Sequence, residues 1–294
     1  MSSLWPTGPL RVLVVGIDGV RLDLLPELET PHLDSVAAAG FLAPVEVDDA
    51  TPTMSGPCWA TITTGVGVAK HGVLGNHFGG NRLDVFPDFT TRLAAVHRRR
   101  TFAAGGWEPL FLARQGGPLF AAPGRLSYVA PVEDSPEAWE ECDQRVTEEA
   151  VRVLGGADDP QASFVYLGAV DETAHFLGCG EEYRRSVETA DQRLGRLLDA
   201  VRARPGYAEE SWTVIVVTDH GHLDQGGHGG RSTVERTAWV AASGPGLPPG
   251  APMETVRHVD VAAHVYAALE ISPDPHWTLD GRPFTPALQP APVG

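Results

Sequence analysis

The chain has 294 residues, 43% hydrophobic and 20% charged, which provides enough apolar material for one or two packed domains and excludes wholesale disorder. Lys and Arg number 22 against 38 Asp and Glu, a formal charge of −16 that repels phosphate backbones. The only compact basic run is Arg98 to Arg100, so no nucleic-acid duplex is expected as a partner.

Three scattered cysteines, Cys58, Cys142 and Cys179, are too few for a disulfide framework or a four-thiolate zinc site and suit a reducing compartment. The first apolar run, Val12 to Ile17, is short and stops at Asp18, so no signal peptide is read, and no run reaches membrane-spanning length. A soluble cytoplasmic protein is expected. Lys70 is the only lysine and His71 follows it, which excludes a Gly-Lys-Ser/Thr phosphate loop. The Arg, Ala, Gly and Pro bias suits a GC-rich bacterial genome.

Along the chain, short apolar runs alternate with segments of helical spacing, the pattern of a doubly wound, mostly parallel sheet with helices on both faces. Arg11 to Ile17 reads as a buried strand. Thr30-Pro31 opens a helix that Gly40 stops, and Ser55 to Thr64 forms another that ends at Gly65. A helix near residues 89–99 feeds a strand at Thr101 to Ala104. Ser135-Pro136 caps a long helix with Trp139, Cys142, Val146, Ala150 and Val153 on one stripe. Phe164 to Val170 reads as a strand ending on Asp171, and Tyr183, Val187, Ala190, Leu194, Leu197 and Val201 mark the next helix. Strands at Trp212 to Val217 and Ala238 to Ala242 and a helix over Val259 to Leu269 follow. The whole, residues 1–294, is expected to be one domain, with loose ends at residues 1–10 and 284–294.

Ligands of such sheets bind beyond the carboxyl ends of the strands, where Asp18, Asp171 and Asp219 are all expected. Three carboxylates converging there repel one another unless cations hold them together. Each fragment also has a plainer explanation. Asp18-Gly19 can be a turn, Asp171-x-x-x-His175 a helix start with a surface histidine, and Gly226-Gly227-His228-Gly229-Gly230 a flexible loop. Asp219-His220, directly after an apolar strand, is harder to justify as packing. Together Asp18, Asp171, His175, Asp219, His220 and His228 supply mixed N/O ligands that suit Zn²⁺, too many for one open tetrahedral site and right for two ions. Ser55, at the start of a helix, is either a cap or a nucleophile held where an anion is favoured.

Asp18, Ser55 in a Pro-rich approach to Thr64-Gly65, His71 to Asn76, Asp171-x-x-x-His175, Asp219-His220-Gly221 and His228, in that order, resemble the alkaline phosphatase superfamily, and most of all its nucleotide pyrophosphatase/phosphodiesterase branch. The likeness runs from about residue 11 to the end. It implies two zinc ions, one held by Asp18, Asp219, His220 and Ser55 and the other by Asp171, His175 and His228. It also implies Ser55 as nucleophile, and Asn76 and the Ser55 backbone N–H as holders of a phosphoryl oxygen. The expected function is hydrolysis of a phosphate ester or nucleotide, with a phosphomonoesterase or a non-catalytic nucleotide-binding module as alternatives. Serine stands for the branch's usual threonine, and Gly56-Pro57-Cys58 for its Phe-Pro-Asn. A sulfatase is not favoured, because Trp59 stands where those enzymes carry arginine. Arg21 can meet a substrate phosphate or be a solvated helix-start residue, and His222 can line the site or support a ligand. Trp59, Trp107 and Cys58 read as core, and His32, His97, His258, His264 and His276 as surface or helix-face residues.

Overall fold

The computed structural model describes residues 8–250 and 255–285. The strands are β1 (Leu10–Ile17), β2 (Phe41–Glu46), β3 (Thr101–Gly105), β4 (Arg125–Tyr128), β5 (Ala162–Leu167), β6 (Ser211–Val217) and β7 (Thr237–Ser243). The helices are α1 (Pro31–Ala39), α2 (Ser55–Thr64), α3 (Val68–His71), α4 (Phe89–His97), α5 (Glu108–Phe111), α6 (Pro136–Gly155), α7 (Ala169–Leu177), α8 (Glu181–Arg202), α9 (Thr233–Arg236) and α10 (Asp260–Ala268).

The strands form one sheet in the order β2-β7-β6-β1-β5-β3-β4. β1 pairs in parallel with both β5 and β6, and antiparallel pairing is confined to the β6, β7 and β2 side. Alternation along β1 explains the layering. Val12 and Val14 face a core built with α2, α4 and α10, while Leu13, Val15 and Ile17 face one built with α1, α6, α7 and α8. The expected α/β architecture with helices on both faces is therefore the observed one.

Several local expectations change. β5 stops at Leu167 and Ala169 already belongs to α7, so Asp171 lies in the first turn of a helix and not at a strand end. The buried pair Ala169-Val170 prolongs the apolar run past the real break at Gly168. The structure adds two strands, β2 and β4, that the apolar pattern does not mark. β2 carries Pro44, which a sheet tolerates at its edge, the position that β2 occupies. Of the ends expected to be loose, residues 1–7 and 286–294 lie outside the described residues, whereas Leu10 opens β1 and Phe284 is buried against Phe41.

Candidate active site

The strand order brings three loops to one crevice. β1 lies between β6 and β5, so the residues that follow these three strands share the carboxyl edge at its centre. Asp18 follows β1 directly and Asp219-His220 follow Thr218 after β6; all three side chains are fully buried. The two loops lock together. Gly19 N–H donates to Asp219 Oδ1 (3.2 Å) and Val20 N–H to Thr218 Oγ1 (2.9 Å). Asp18 Oδ2 accepts from Trp59 Nε1 and Tyr166 Oη, each at 2.8 Å, which leaves Oδ1 turned inward.

Asp18 Oδ1, Asp219 Oδ2 and His220 Nε2 are buried without a hydrogen-bond partner among the described residues. Yet Nε2 stands 3.6 Å from the Asp18 oxygen and 3.2 Å from the Asp219 oxygen. Burial, then the Asp171 charge, pushes the Asp18 carboxyl up to about 7, and burial with the Asp18 charge pushes Asp219 well up. Burial holds His220 well below the usual histidine range, so its ring is neutral. His220 Nδ1 faces the Gly221 carbonyl at 3.2 Å, which favours a proton on Nδ1 and a lone pair on Nε2. Orphaned acceptors gathered at one point, with burial opposing ionisation of the carboxylates, are a donor set that a divalent cation satisfies.

The second cluster sits on α7 and the loop after β6. Asp143, buried on α6, accepts from the Gly168 and Ala169 N–H groups (3.1 and 2.9 Å) and so caps the amides at the start of α7. Asp171 and His175 follow one helical turn apart, with His175 Nε2 3.4 Å from Asp171 Oδ2. From the loop, His222 Nε2 lies 2.6 Å and His228 Nε2 3.5 Å from Asp171 Oδ1, and His228 Nε2 lies 2.9 Å from His175 Nε2. His228 Nδ1 meets the Thr53 carbonyl at 2.7 Å, an arrangement that turns the Nε2 lone pair into the cluster. Burial raises the Asp171 carboxyl, but its bonds with His175 and His222 outweigh that and hold it well below the usual range. The same bond lifts His175 to about 9. Asp171, His175, His222 and His228 present ligand atoms that all lie within 4.8 Å of one another, as do Asp18, Asp219 and His220. The clusters adjoin, since the His220 and His228 rings stack with centroids 3.8 Å apart.

Ser55 is the first helical residue of α2, and Met54 holds the cap position. One turn further on, Trp59 reaches Asp18; just before it, Thr53 holds His228 through its carbonyl and Gly229 N–H through its hydroxyl (3.1 Å). Ser55 is thus flanked along the chain by contacts to both clusters. Asn76 Oδ1 accepts from Gly56 N–H (2.9 Å), which orients its carboxamide at the first turn of α2. The Ser55 N–H, at the helix start, has no acceptor within the helix.

Of the other residues singled out, some fall as expected and some do not. Arg21 is not a solvated arginine: it is 6% exposed and its guanidinium is engaged by Asp23 and Asp224. Cys58 is buried and burial pushes its thiol well up, as a core residue requires. Trp59 is core on its ring and part of the site at its N–H, a dual role the sequence reading missed. His258 and His264 are buried and not on the surface. His258 Nε2 stands 3.1 Å from the Thr218 carbonyl, one residue before Asp219, and burial lowers its pKa to about 4, so the neutral ring donates there.

A model of the type I phosphodiesterase/nucleotide pyrophosphatase family matches residues 12–229. The chain belongs to that family. Ectonucleotide pyrophosphatase/phosphodiesterase family member 7 of Rattus norvegicus is 26% identical over 228 residues, covering 72% of this chain and 49% of that protein. The Homo sapiens protein of the same name is 26% identical over 224 residues, covering 72% and 47%. The chain spans about half the length of the curated relatives it matches. Among solved structures, a 2-O GAG sulfatase superposes with a TM-score of 0.74 at 13% identity, covering 96% of this chain and 74% of that one. Murine ectonucleotide pyrophosphatase/phosphodiesterase 5, an inactive variant in complex with AMP, gives 0.66 at 16% identity, covering 91% and 96%. At such identities these two show a shared fold. Among the described residues no helix is long and apolar enough to cross a membrane.

Proposed function

We propose that this family member hydrolyses phosphodiester or nucleotide-type substrates with Ser55 as nucleophile, beside two divalent ions for which zinc is the best match. The observation that carries this reading is the pair of adjoining N/O clusters near the start of α2, one of which leaves three buried ligand atoms without a hydrogen-bond partner among the described residues. Asp18, Asp219 and His220, with Ser55, would hold one ion, and Asp171, His175 and His228 the other. When bound, the ions supply Lewis-acid stabilisation of the attacking and leaving oxygens.

The chain's own groups do the rest. The Ser55 hydroxyl gives up its proton as Oγ attacks phosphorus in line; the Oγ–P bond forms as the bond to the leaving oxygen breaks and that oxygen takes up a proton, and water then displaces Ser55, leaving OH on phosphorus and returning a proton to Oγ. The Asn76 amide and the Ser55 N–H stabilise charge on a phosphoryl oxygen, helped by the dipole of α2. His220 and His228 are kept neutral by burial, as ligation requires.

The test compares an aryl phosphate with a bis-aryl phosphate diester in zinc-loaded protein. Faster turnover of the diester is expected, and faster turnover of the monoester would move the assignment to a phosphomonoesterase. Ser55→Ala is expected to lower turnover by more than about 10³-fold at saturating zinc. Unchanged turnover in that variant would overturn the nucleophile.

A further inference from the structure

We propose that His222 is a fourth protein ligand of the ion at Asp171, and that this ion is consequently bound much more tightly than its neighbour at Asp18. The inference rests on the two-ion reading above and adds to it a residue that the resemblance does not supply.

The geometry comes first. Ligand bonds of about 2.0–2.1 Å in tetrahedral zinc place neighbouring ligand atoms about 3.3 Å apart. The separations around Asp171 scatter about that value: 2.6 Å to His222, 3.5 Å to His228 and 3.4 Å to His175, with 2.9 Å between His175 and His228. His222 and His228 stand on Asp171 Oδ1 and His175 on Oδ2, so three imidazole nitrogens surround one carboxylate, with all four ligand atoms within 4.8 Å of one another.

The backbone is built to deliver the ring. Gly221 turns where a Cβ would meet the Val234 carbonyl oxygen at 2.0 Å, so only glycine allows the chain to pass from β6 into this loop. Across the crevice, Gly19 has φ +69°, and a Cβ there would stand 2.7 Å from His222 Nε2 and 2.8 Å from Asp171 Oδ1. Gly19 therefore clears the space in which a fully buried imidazole approaches the carboxylate, and Gly221 lets the loop that carries that imidazole pass against Val234. A surface histidine needs no such clearance.

The neighbouring cluster offers two carboxylates and one imidazole, to which the two-ion reading adds the Ser55 hydroxyl. Four protein donors against three and a hydroxyl predict unequal retention: the ion at Asp171 stays and the ion at Asp18 exchanges. A substrate oxygen can then join the Asp171 ion as a fifth ligand, an expansion that zinc tolerates.

The experiment titrates metal-free full-length protein with zinc against a chromophoric chelator and records the zinc X-ray absorption spectrum at one equivalent, for the wild type and for His222→Gln. The expected wild-type spectrum has three imidazoles on the first ion, and the variant two. The variant's first dissociation constant should weaken by more than about 100-fold, beyond the 10- to 100-fold typical of a supporting residue, while the second changes by less than about 10-fold. Two imidazoles in the wild type would overturn the proposal and leave His222 as a hydrogen-bond donor to Asp171. One imidazole on the first ion would overturn the order of affinity. Because the wild-type count decides by itself, a variant that fails to fold does not rescue the idea. Protein that takes up no zinc at all would sink the two-ion reading, whereas two ions with two imidazoles on the first would sink only this one.

Discussion

The two halves of the crevice reach similar ligand sets by different means. Asp18, Asp219 and His220 hang from backbone that leaves two paired central strands, and all three are fully buried. Asp171, His175, His222 and His228 come from a nine-residue helix and a glycine-rich loop, with the His175 side chain 40% exposed. Their electrostatics differ as much as their supports. In the helix-borne half, hydrogen bonds from His175 and His222 outweigh the burial of Asp171 and hold its carboxyl well below the usual range. In the strand-end half, burial and mutual repulsion push both carboxylates up. The sheet holds in place charges that do not want to coexist, and without an ion that half is strained electrostatically while the other is not.

The largest expected contrast comes from Asp219→Asn. Activity should fall by more than about 100-fold, since this carboxylate is a proposed ligand and not a support. The melting temperature of the metal-free protein should nevertheless rise, because a disfavoured buried charge is gone. A fall in melting temperature would show that Asp219 is chiefly a structural acceptor for Gly19.

Trp59→Phe removes one of the two donors to Asp18 Oδ2 while keeping most of the ring's packing. Metal affinity at the Asp18 site is expected to drop about 10- to 100-fold, with the Asp171 site unaffected, as metal-binding titration would report. Asp143→Asn is the matching probe on the helix side. It leaves one good acceptor for the two amides of α7 and should cost about 1–3 kcal/mol in denaturant unfolding, with affinity lost only at the Asp171 site. Equal losses at both sites from either variant would erase the distinction between the halves.

The smallest effect is a pH slope. Asp18 is raised from 3.8 to about 7 in the folded protein, so between those values the folded state holds a proton that the unfolded chain releases. The stability of metal-free protein should therefore fall as pH rises from about 4 to 7, by about 1 kcal/mol per pH unit from this group. Saturating zinc, which needs the ionised carboxylate, should abolish or reverse the slope in thermal melts. A metal-free stability that climbs over that range would contradict the raised Asp18.

The strand-end half was largely legible in the sequence, because the apolar runs Val12 to Ile17 and Trp212 to Val217 break off just before Asp18 and Thr218-Asp219. The helix half was legible as residue types but not as structure: Ala169 and Val170 extend the apolar run and conceal the start of α7. Spacing could not decide whether His222 turns inward, since that depends on the clearance left by Gly19, some two hundred residues earlier. The indole of Trp59 on Asp18 and His258 on the Thr218 carbonyl are tertiary contacts across 41 and 40 positions, with no local pattern to announce them. Pro44 hid an edge strand that burial alternation alone would have marked.

That two ions are held side by side next to Ser55 is tested most directly by anomalous diffraction at the zinc edge from crystals of zinc-loaded protein. The account predicts two peaks, one within ligand distance of Asp18, Asp219, His220 and the Ser55 hydroxyl, the other of Asp171, His175 and His228. A single peak, none, or two peaks with the Ser55 hydroxyl directed away from both would contradict it.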